Sequence, residues 1–354
     1  MISPSEYKVR IDECLEELYL STSLKAHRID PLYGELVEQM HAFILRGGKR
    51  QRPYLAYLAY VGLGGENVNS LTRVAAGLEI FHNFLLIHDD VIDRDHVRYG
   101  GPNLTGYFYQ RLRKLGQVEG EASHFAEMAA VLAGDVASSI VRATLYTSDF
   151  PADSKVLCSE LMDKALFYVG GGEYLDALSL PLGENQMSYD RIMSVYEYKT
   201  ARYTFDLPLQ VGACLAGTKY VPEALTAFAV PLGVAFQMRD DYLGLFGDTA
   251  TTGKPTLGDL REGKQTLLIM LAMELASNAQ KEVLRRLYGL RSAQPGDLEE
   301  VKVVCLQSGA CEAHELEIRR LVGVAGQLLP EIGFTEEVHA ALSVFINASV
   351  TRNV

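Results

Sequence analysis

Apolar residues recur at three- and four-residue steps along almost the whole chain, and helices are the structures that gather such a pattern onto one buried face. The period runs through Ile11–Leu20, Tyr33–Leu45, Pro53–Val61, Leu71–His88, Phe125–Tyr146 and Ser154–Val169. It continues through Tyr189–Ala216, Val221–Phe246, Lys264–Ala276, Gln280–Leu290, Leu298–Ser308 and Ala313–Leu329. Strand signals are close to absent, with no alternating β-branched runs joined by Asn-Gly or Asp-Gly turns. Stops fall at Gly116–Gly120, Phe150-Pro151 and the Gly253–Gly258 loop. Gly170-Gly171-Gly172 lies inside an apolar, helix-like stretch and predicts a kink or a close contact. With 354 residues, 48% of them hydrophobic, and no Pro/Gly/Ser-rich linker, the expectation is one all-α domain over residues 1–354. Its function would sit between helices, where bundles house ligands and metals.

Two acidic clusters stand at the polar ends of apolar helical stretches. The first is Asp89-Asp90-Val91-Ile92-Asp93, and the second is Asp240-Asp241 followed by Phe246-Gly247-Asp248. A helix turns by about 100° per residue, so Asp89, Asp90 and Asp93 are expected on one face. Acidic pairs are commonly no more than solvated helix surface. Here Phe84-Leu85-Leu86-Ile87-His88 runs straight into the acids, so they cap a buried helix, and a second pair repeats that setting. Clustered carboxylates repel one another unless cations hold them. All-oxygen ligands suit Mg²⁺, which bridges carboxylates to substrate phosphates. The residues therefore point to a diphosphate carried on magnesium.

A net charge of −12 argues against nucleic acid as a partner. Cationic residues nevertheless gather beside the acids. Arg46-Gly47-Gly48-Lys49-Arg50-Gln51-Arg52-Pro53 lies between two helices, where glycine lets backbone approach a ligand and Lys and Arg grip phosphate oxygens. The same segment could simply cap a helix C-terminus. Arg98 follows the first cluster, Lys199-Thr200 ends a tyrosine-rich stretch, and Lys254 and Lys264 frame the loop after the second cluster. His82 stands two helical turns before Asp89, and both a core role and ligand binding are open to it. The cysteines at 14, 158, 214, 305 and 311 have no metal-ligand spacing, and no apolar run is read as a membrane span or signal peptide. A reduced, cytoplasmic protein without stable membrane insertion is expected.

Taken in order, these motifs resemble the trans-isoprenyl diphosphate synthases, the polyprenyl synthetase family that includes geranylgeranyl and farnesyl diphosphate synthases of bacterial type. Gly47–Pro53 is similar to the family's GGKRxRP, and Ile87–Asp93 to its first aspartate-rich motif. Gly134-Asp135 is similar to a further helix signature of the family. Gly172–Asp176 is similar to GQxxD with Glu173 for Gln, and Tyr198–Ala201 to YKTA. Phe236–Asp241 resembles the start of the second aspartate-rich motif, with Gly253-Lys254-Pro255 and Gly263-Lys264 after it.

The resemblance implies an isoprenoid-synthase (class I terpene synthase) helical bundle with a central cavity, in a homodimer. It implies a prenyltransferase that condenses isopentenyl diphosphate with a C5–C15 allylic diphosphate, using three Mg²⁺ per active site. By carry-over, Asp89, Asp93 and Asp240 hold metal, and Asp90, Asp241 and Asp176 support it through water. Arg98, Lys199, Lys254 and Lys264 would grip the allylic diphosphate. Lys49, Arg52 and His82 would hold isopentenyl diphosphate. The Lys199 and Thr200 carbonyls, with Gln237, would face the carbocation.

The chain departs from the pattern in two places. Tyr99 follows Arg98 where the family has a second arginine, which implies weaker isopentenyl diphosphate affinity. Gly244 ends the second motif in place of Asp. Phe84, five residues before Asp89, with Leu85 after it, resembles the pattern for geranylgeranyl diphosphate (C20), with C15 to C25 open. On a helical wheel Leu85 points nearer the acid face than Phe84 does, so Phe84 would act from the flank or be plain core. A class I terpene cyclase shares the first motif but would carry an Asn/Asp-Ser/Thr-Glu second motif, which is not seen. A non-catalytic regulatory subunit of a prenyl synthase would not need both Asp-Asp pairs.

Overall fold

The computed structural model describes residues 1–179, 188–218, 223–247 and 257–350; Lys254 lies outside them. Along the chain, α1 is Pro4–Ile29, α2 Pro31–Leu45, α3 Gln51–Gly62 and α4 Val68–Ile92. Two short strands follow, β1 Val97–Arg98 and β2 Gly101–Pro102, then α5 Leu104–Lys114, α6 Glu119–Tyr146 and α7 Ala152–Ala177. Next come α8 Tyr189–Val195, a π-helix over Tyr196–Asp206, α9 Leu207–Leu215, α10 Glu223–Phe246 and α11 Gly258–Glu262. The chain continues as α12 Leu267–Leu275, α13 Asn278–Leu287, α14 Pro295–Gln307 and α15 Ala310–Leu328. A 3₁₀ turn at Leu329–Glu331 leads to α16, Glu336–Val350. The all-α expectation holds among the described residues, apart from the short β1–β2 pair.

The chain divides into two compact units, Met1–Glu160 with Val211–Lys219, and Leu161–Gln210 with Tyr220–Val354. In the first, α4 is the central helix. Its apolar run from Leu71 to Ile87 is buried almost all round, packed on α6, α3 and α1. Local chemistry starts the helices here. Ser3 and Glu6 close a capping box on α1, Asp30 caps α2 and Asn67 caps α4, each satisfying amide groups that a helix start leaves open. In the second unit α10 packs on the π-helix and α15. A core of Leu245, Leu268, Leu284, Val301 and Cys305 gathers α10 and α12–α14.

Several expectations are corrected. The sequence shows no hairpin signal, yet β1 and β2 pair antiparallel through the turn residues Tyr99 and Gly100, a pair outside the usual Asn-Gly vocabulary. Helix α5 escapes notice because its surface is mostly polar and basic. The stretch Tyr189–Ala216, expected as one α-helix, is interrupted by eleven residues of π-helix. By length and composition α6 could cross a bilayer, against the expectation of no such run; half of that stretch is buried inside the protein. Of the three glycines at 170–172, Gly172 makes a close approach: a Cβ there would collide with the Tyr198–Lys199 backbone, while Gly170 and Gly171 face open space.

Candidate active site

In the first unit the acids sit where α4 ends. Asp93 is the C-cap, its N–H donating to the Asp89 carbonyl at 2.8 Å, so the cluster straddles the last helical turn. Asp89 and Asp93, four residues apart, bring carboxylate oxygens within 4.8 Å of each other, and both are partly exposed. Asp90 does not share that face: one residue on, it is turned inward and is 2% exposed. Arg98, on β1, binds it there. The guanidinium donates from Nε to Asp90 Oδ1 at 2.7 Å and from Nη2 to Asp89 Oδ2 at 3.0 Å. Burial works against the Arg98 charge, but Asp90 and Asp89 outweigh it and hold its pKa above the ordinary value.

The basic segment is built by two left-handed residues. Gly48 has φ 104° and Arg50 φ 53°, which turns the chain between α2 and α3. Lys49 is exposed and Arg52 partly so. Arg50, although part of the basic run, is committed to the protein itself. It is buried, donating to Asp12 of α1 at 2.7 Å, to Glu79 of α4 at 2.9 Å and to the Ile44 carbonyl at 2.8 Å. Sequence reading missed Asp12 and Glu79; the signal for the latter was a lone Glu inside the apolar run Leu78–Phe81, where a carboxylate needs a buried partner. His82 lies near this set. Burial, then Arg52, Arg98 and Arg50, hold its imidazole well below the ordinary histidine range, so it is neutral. Phe84 is buried edge-on to Phe81 and His88, with ring centroids 5.7 and 5.2 Å away. Leu85 is partly exposed.

In the second unit the π-helix carries Lys199 and Thr200. Its wider i→i+5 bonding makes room for an extra residue, a distortion that recurs at functional sites. Lys199 Nζ lies 2.6 Å from Asp176 Oδ2 and 3.0 Å from Glu173 Oε1 of α7. Glu173, where the family motif has Gln, thus gives the lysine a second carboxylate. From Thr200 a chain of bonds reaches the second acidic cluster: its Oγ1 donates to Gln237 Oε1 at 2.6 Å, and Gln237 Nε2 donates to Asp241 Oδ1 at 2.8 Å. Asp240 is partly exposed, whereas Asp241 is turned inward. Burial pushes the Asp241 carboxyl up to about 7, with Asp259 and Asp176 adding to the rise while Tyr196 and Gln237 oppose it by hydrogen bonding. The Asp259 carboxylate fills the space beside Gly244, where a Cβ would meet its Oδ2. Lys264 Nζ is 3.1 Å from Glu262.

The donor set fits magnesium. The candidate ligands are carboxylate oxygens only, two of them close together at Asp89 and Asp93, and in the second cluster burial first, then the charges of Asp259 and Asp176, work against the Asp241 carboxylate. A bound divalent cation would relieve the repulsion between Asp89 and Asp93 and offset the like charges around Asp241.

Comparison with known proteins agrees. The polyprenyl synthetase family profile matches residues 34–304. A crystal structure of geranylgeranyl pyrophosphate synthase from Corynebacterium glutamicum, complexed with isoprenyl diphosphate and magnesium, superposes with a TM-score of 0.93 at 31% identity, covering 99% of this chain and 100% of that one. The geranylfarnesyl diphosphate synthase of Aeropyrum pernix is 30% identical over 82% of this chain and 85% of its own. The farnesyl diphosphate synthase of Escherichia coli is 32% identical over 70% of this chain and 79% of its own. An all-α chain with paired acidic clusters, flanking cations and this breadth of likeness belongs to the polyprenyl synthetase family, and it is a trans-prenyltransferase.

Proposed function

We propose that the chain condenses isopentenyl diphosphate with an allylic diphosphate to make geranylgeranyl diphosphate. The family is magnesium-dependent and acts on these substrates. The observation that carries the reading is the company around the first acidic cluster: Asp89 and Asp93 share a face for metal, while Arg98, Arg52 and a neutral His82 gather beside them in a protein of net charge −12.

Asp89, Asp93 and Asp240 would hold magnesium, three ions in all, with Asp90, Asp241 and Asp176 orienting them. Magnesium bound there would supply positive charge against the leaving diphosphate, assisting ionisation of the allylic C–O bond. Arg98, Lys199, Lys254 and Lys264 grip that diphosphate, and Lys49, Arg52 and His82 hold isopentenyl diphosphate. Gln237 and the Lys199 and Thr200 carbonyls face the cation, and the hydrogen bond from Thr200 to Gln237 fixes the amide so that its oxygen side is oriented. The double bond of isopentenyl diphosphate attacks, and a proton leaves to the released diphosphate. Phe84 would end the growing tail at C20. The relatives include farnesyl, geranylgeranyl, geranylfarnesyl and nonaprenyl diphosphate synthases, so likeness alone does not rank the lengths, and Phe84 with Leu85 carries the choice. A homodimer in the cytoplasm completes the proposal.

The test is to incubate purified protein with isopentenyl diphosphate, Mg²⁺ and, separately, C5, C10 and C15 allylic diphosphates, and to read product mass. Extension ending at C20, abolished by EDTA and restored by Mg²⁺, is expected. A cyclic hydrocarbon made without isopentenyl diphosphate would mean a cyclase. Diphosphate binding without turnover would mean a regulatory subunit.

A further inference from the structure

The hairpin after α4 carries a residue that its own turn chemistry does not favour. Tyr99 and Gly100 have φ of 54° and 71°, the signature of a type I′ turn, with Val97 paired to Pro102 and Arg98 to Gly101. Gly100 accepts this backbone freely, but a bulky residue in the left-handed region is uncommon and persists where its surroundings hold it. What holds Tyr99 is the basic segment. Its ring lies flat enough on Gly47 that a Cβ there would stand 2.8 Å from Cγ and Cδ1, and its centroid is 6.1 Å from that of Phe43. The same hairpin takes a second grip one residue earlier, where Arg46 Nη1 donates to the Pro102 carbonyl at 2.6 Å. Its other side is anchored on the acids through Arg98, bonded to Asp89 and Asp90.

We propose that Tyr99 is a positioning residue: its ring, seated on Gly47, sets where the backbone places Lys49 and Arg52, and so tunes the affinity for isopentenyl diphosphate. The inference rests on the reading above that these cations hold that substrate. The family's second arginine would reach the diphosphate with charge. Tyr99 supplies none, because burial, opposed by Arg98, raises its phenol pKa above the ordinary value and leaves it neutral. Its contribution is shape. Gly47 is required as the flat surface that the ring covers, and removing the ring frees Arg46-Gly47-Gly48 to sample positions in which Lys49 and Arg52 miss the diphosphate.

The experiment measures kcat and both Michaelis constants for wild type, Tyr99→Phe, Tyr99→Ala, Tyr99→Gly, Gly47→Ala and Gly47→Ala/Tyr99→Ala. Tyr99→Ala should raise KM for isopentenyl diphosphate by about tenfold, while kcat and the allylic KM stay within about twofold. Tyr99→Phe, which keeps the ring, should restore the wild-type KM. Tyr99→Gly removes the ring without backbone strain and should match the alanine variant, which keeps the test open if alanine there folds poorly. Gly47→Ala should raise the same KM by collision with the ring, and the double variant should do less harm than the two single effects multiplied. An unchanged KM in both Tyr99→Ala and Tyr99→Gly, or strict multiplicativity in the double variant, overturns the proposal. So does an equal loss toward both substrates, which a purely structural role would produce. A wild-type protein that does not incorporate isopentenyl diphosphate at all overturns the functional reading instead.

Discussion

Arg98 reaches Asp90 Oδ1 with both Nε and Nη2, at 2.7 and 2.6 Å, and the two side chains are 9% and 2% exposed. A pair this buried is worth most when one partner is removed, since the other is left as an uncompensated charge. Arg98→Ala should therefore lower the unfolding free energy by roughly 3–5 kcal/mol, read from urea midpoints. Arg98→Ala/Asp90→Asn should recover part of the loss. A double variant no more stable than Arg98→Ala would mean that Asp90 does not feel the arginine's absence.

Gly244 invites a repair that should fail. Gly244→Asp would complete the family's second acidic motif, but the Asp259 carboxylate already lies against that position, next to the buried Asp241. The substitution adds both a collision and a like charge, and it should cost roughly 1–3 kcal/mol of stability and lower magnesium-supported turnover. Adding Asp259→Ala should relieve the stability loss. Higher turnover in Gly244→Asp alone would contradict the crowding read from the structure.

Phe84 is buried edge-on to Phe81 and His88, and shortening it opens space directly before the acids. Phe84→Ala should lengthen the product beyond C20 by one or more five-carbon units, read by mass spectrometry. The cavity should cost about 3–5 kcal/mol of stability, which lowers yield without setting product length, and Phe84→Leu offers a milder version. A product distribution unchanged in both would reduce Phe84 to plain core.

His314, on α15, is fully buried against Tyr242, and both ring nitrogens lack a hydrogen-bond partner among the described residues. Burial, then Arg239, lowers its pKa to about 4, with Glu315 and Glu317 opposing. The folded value lies below the unfolded one, so the unfolded chain binds the extra proton. Stability is therefore full above about pH 6.5 and is lost as pH falls toward 4. Between pH 7 and pH 5 the loss from this residue should be roughly 2 kcal/mol. His314→Leu should remove that slope, measured as urea midpoints at the two pH values; equal slopes in both proteins would refute it.

How far the fold could be read depended on how local its causes are. Helices α4 and α10 were legible because their apolar periodicity lies within one segment, and the acids at their polar ends came with them. The π-helix under Lys199 and Thr200 was not, since i→i+5 bonding reflects how the segment is packed, with α7 pressed so close at Gly172 that no Cβ fits. Helix α5 was missed because it is only eleven residues long and largely polar, and the hairpin because Tyr-Gly stands where Asn-Gly is usual.

The amino-acid sequence by itself determined the all-α class, the family, and which residue types meet at each cluster, because motif spacing and helical period are properties of contiguous chain. The tertiary structure alone decided how those residues divide their work. It turned Asp90 and Asp241 inward while leaving Asp89, Asp93 and Asp240 partly exposed, and it committed Arg50 to Asp12 and Glu79 while Lys49 stayed exposed. It also set the Tyr99 ring on Gly47. Neighbouring charges look interchangeable in one dimension; burial separates them, because a charge removed from water must find its partner in three.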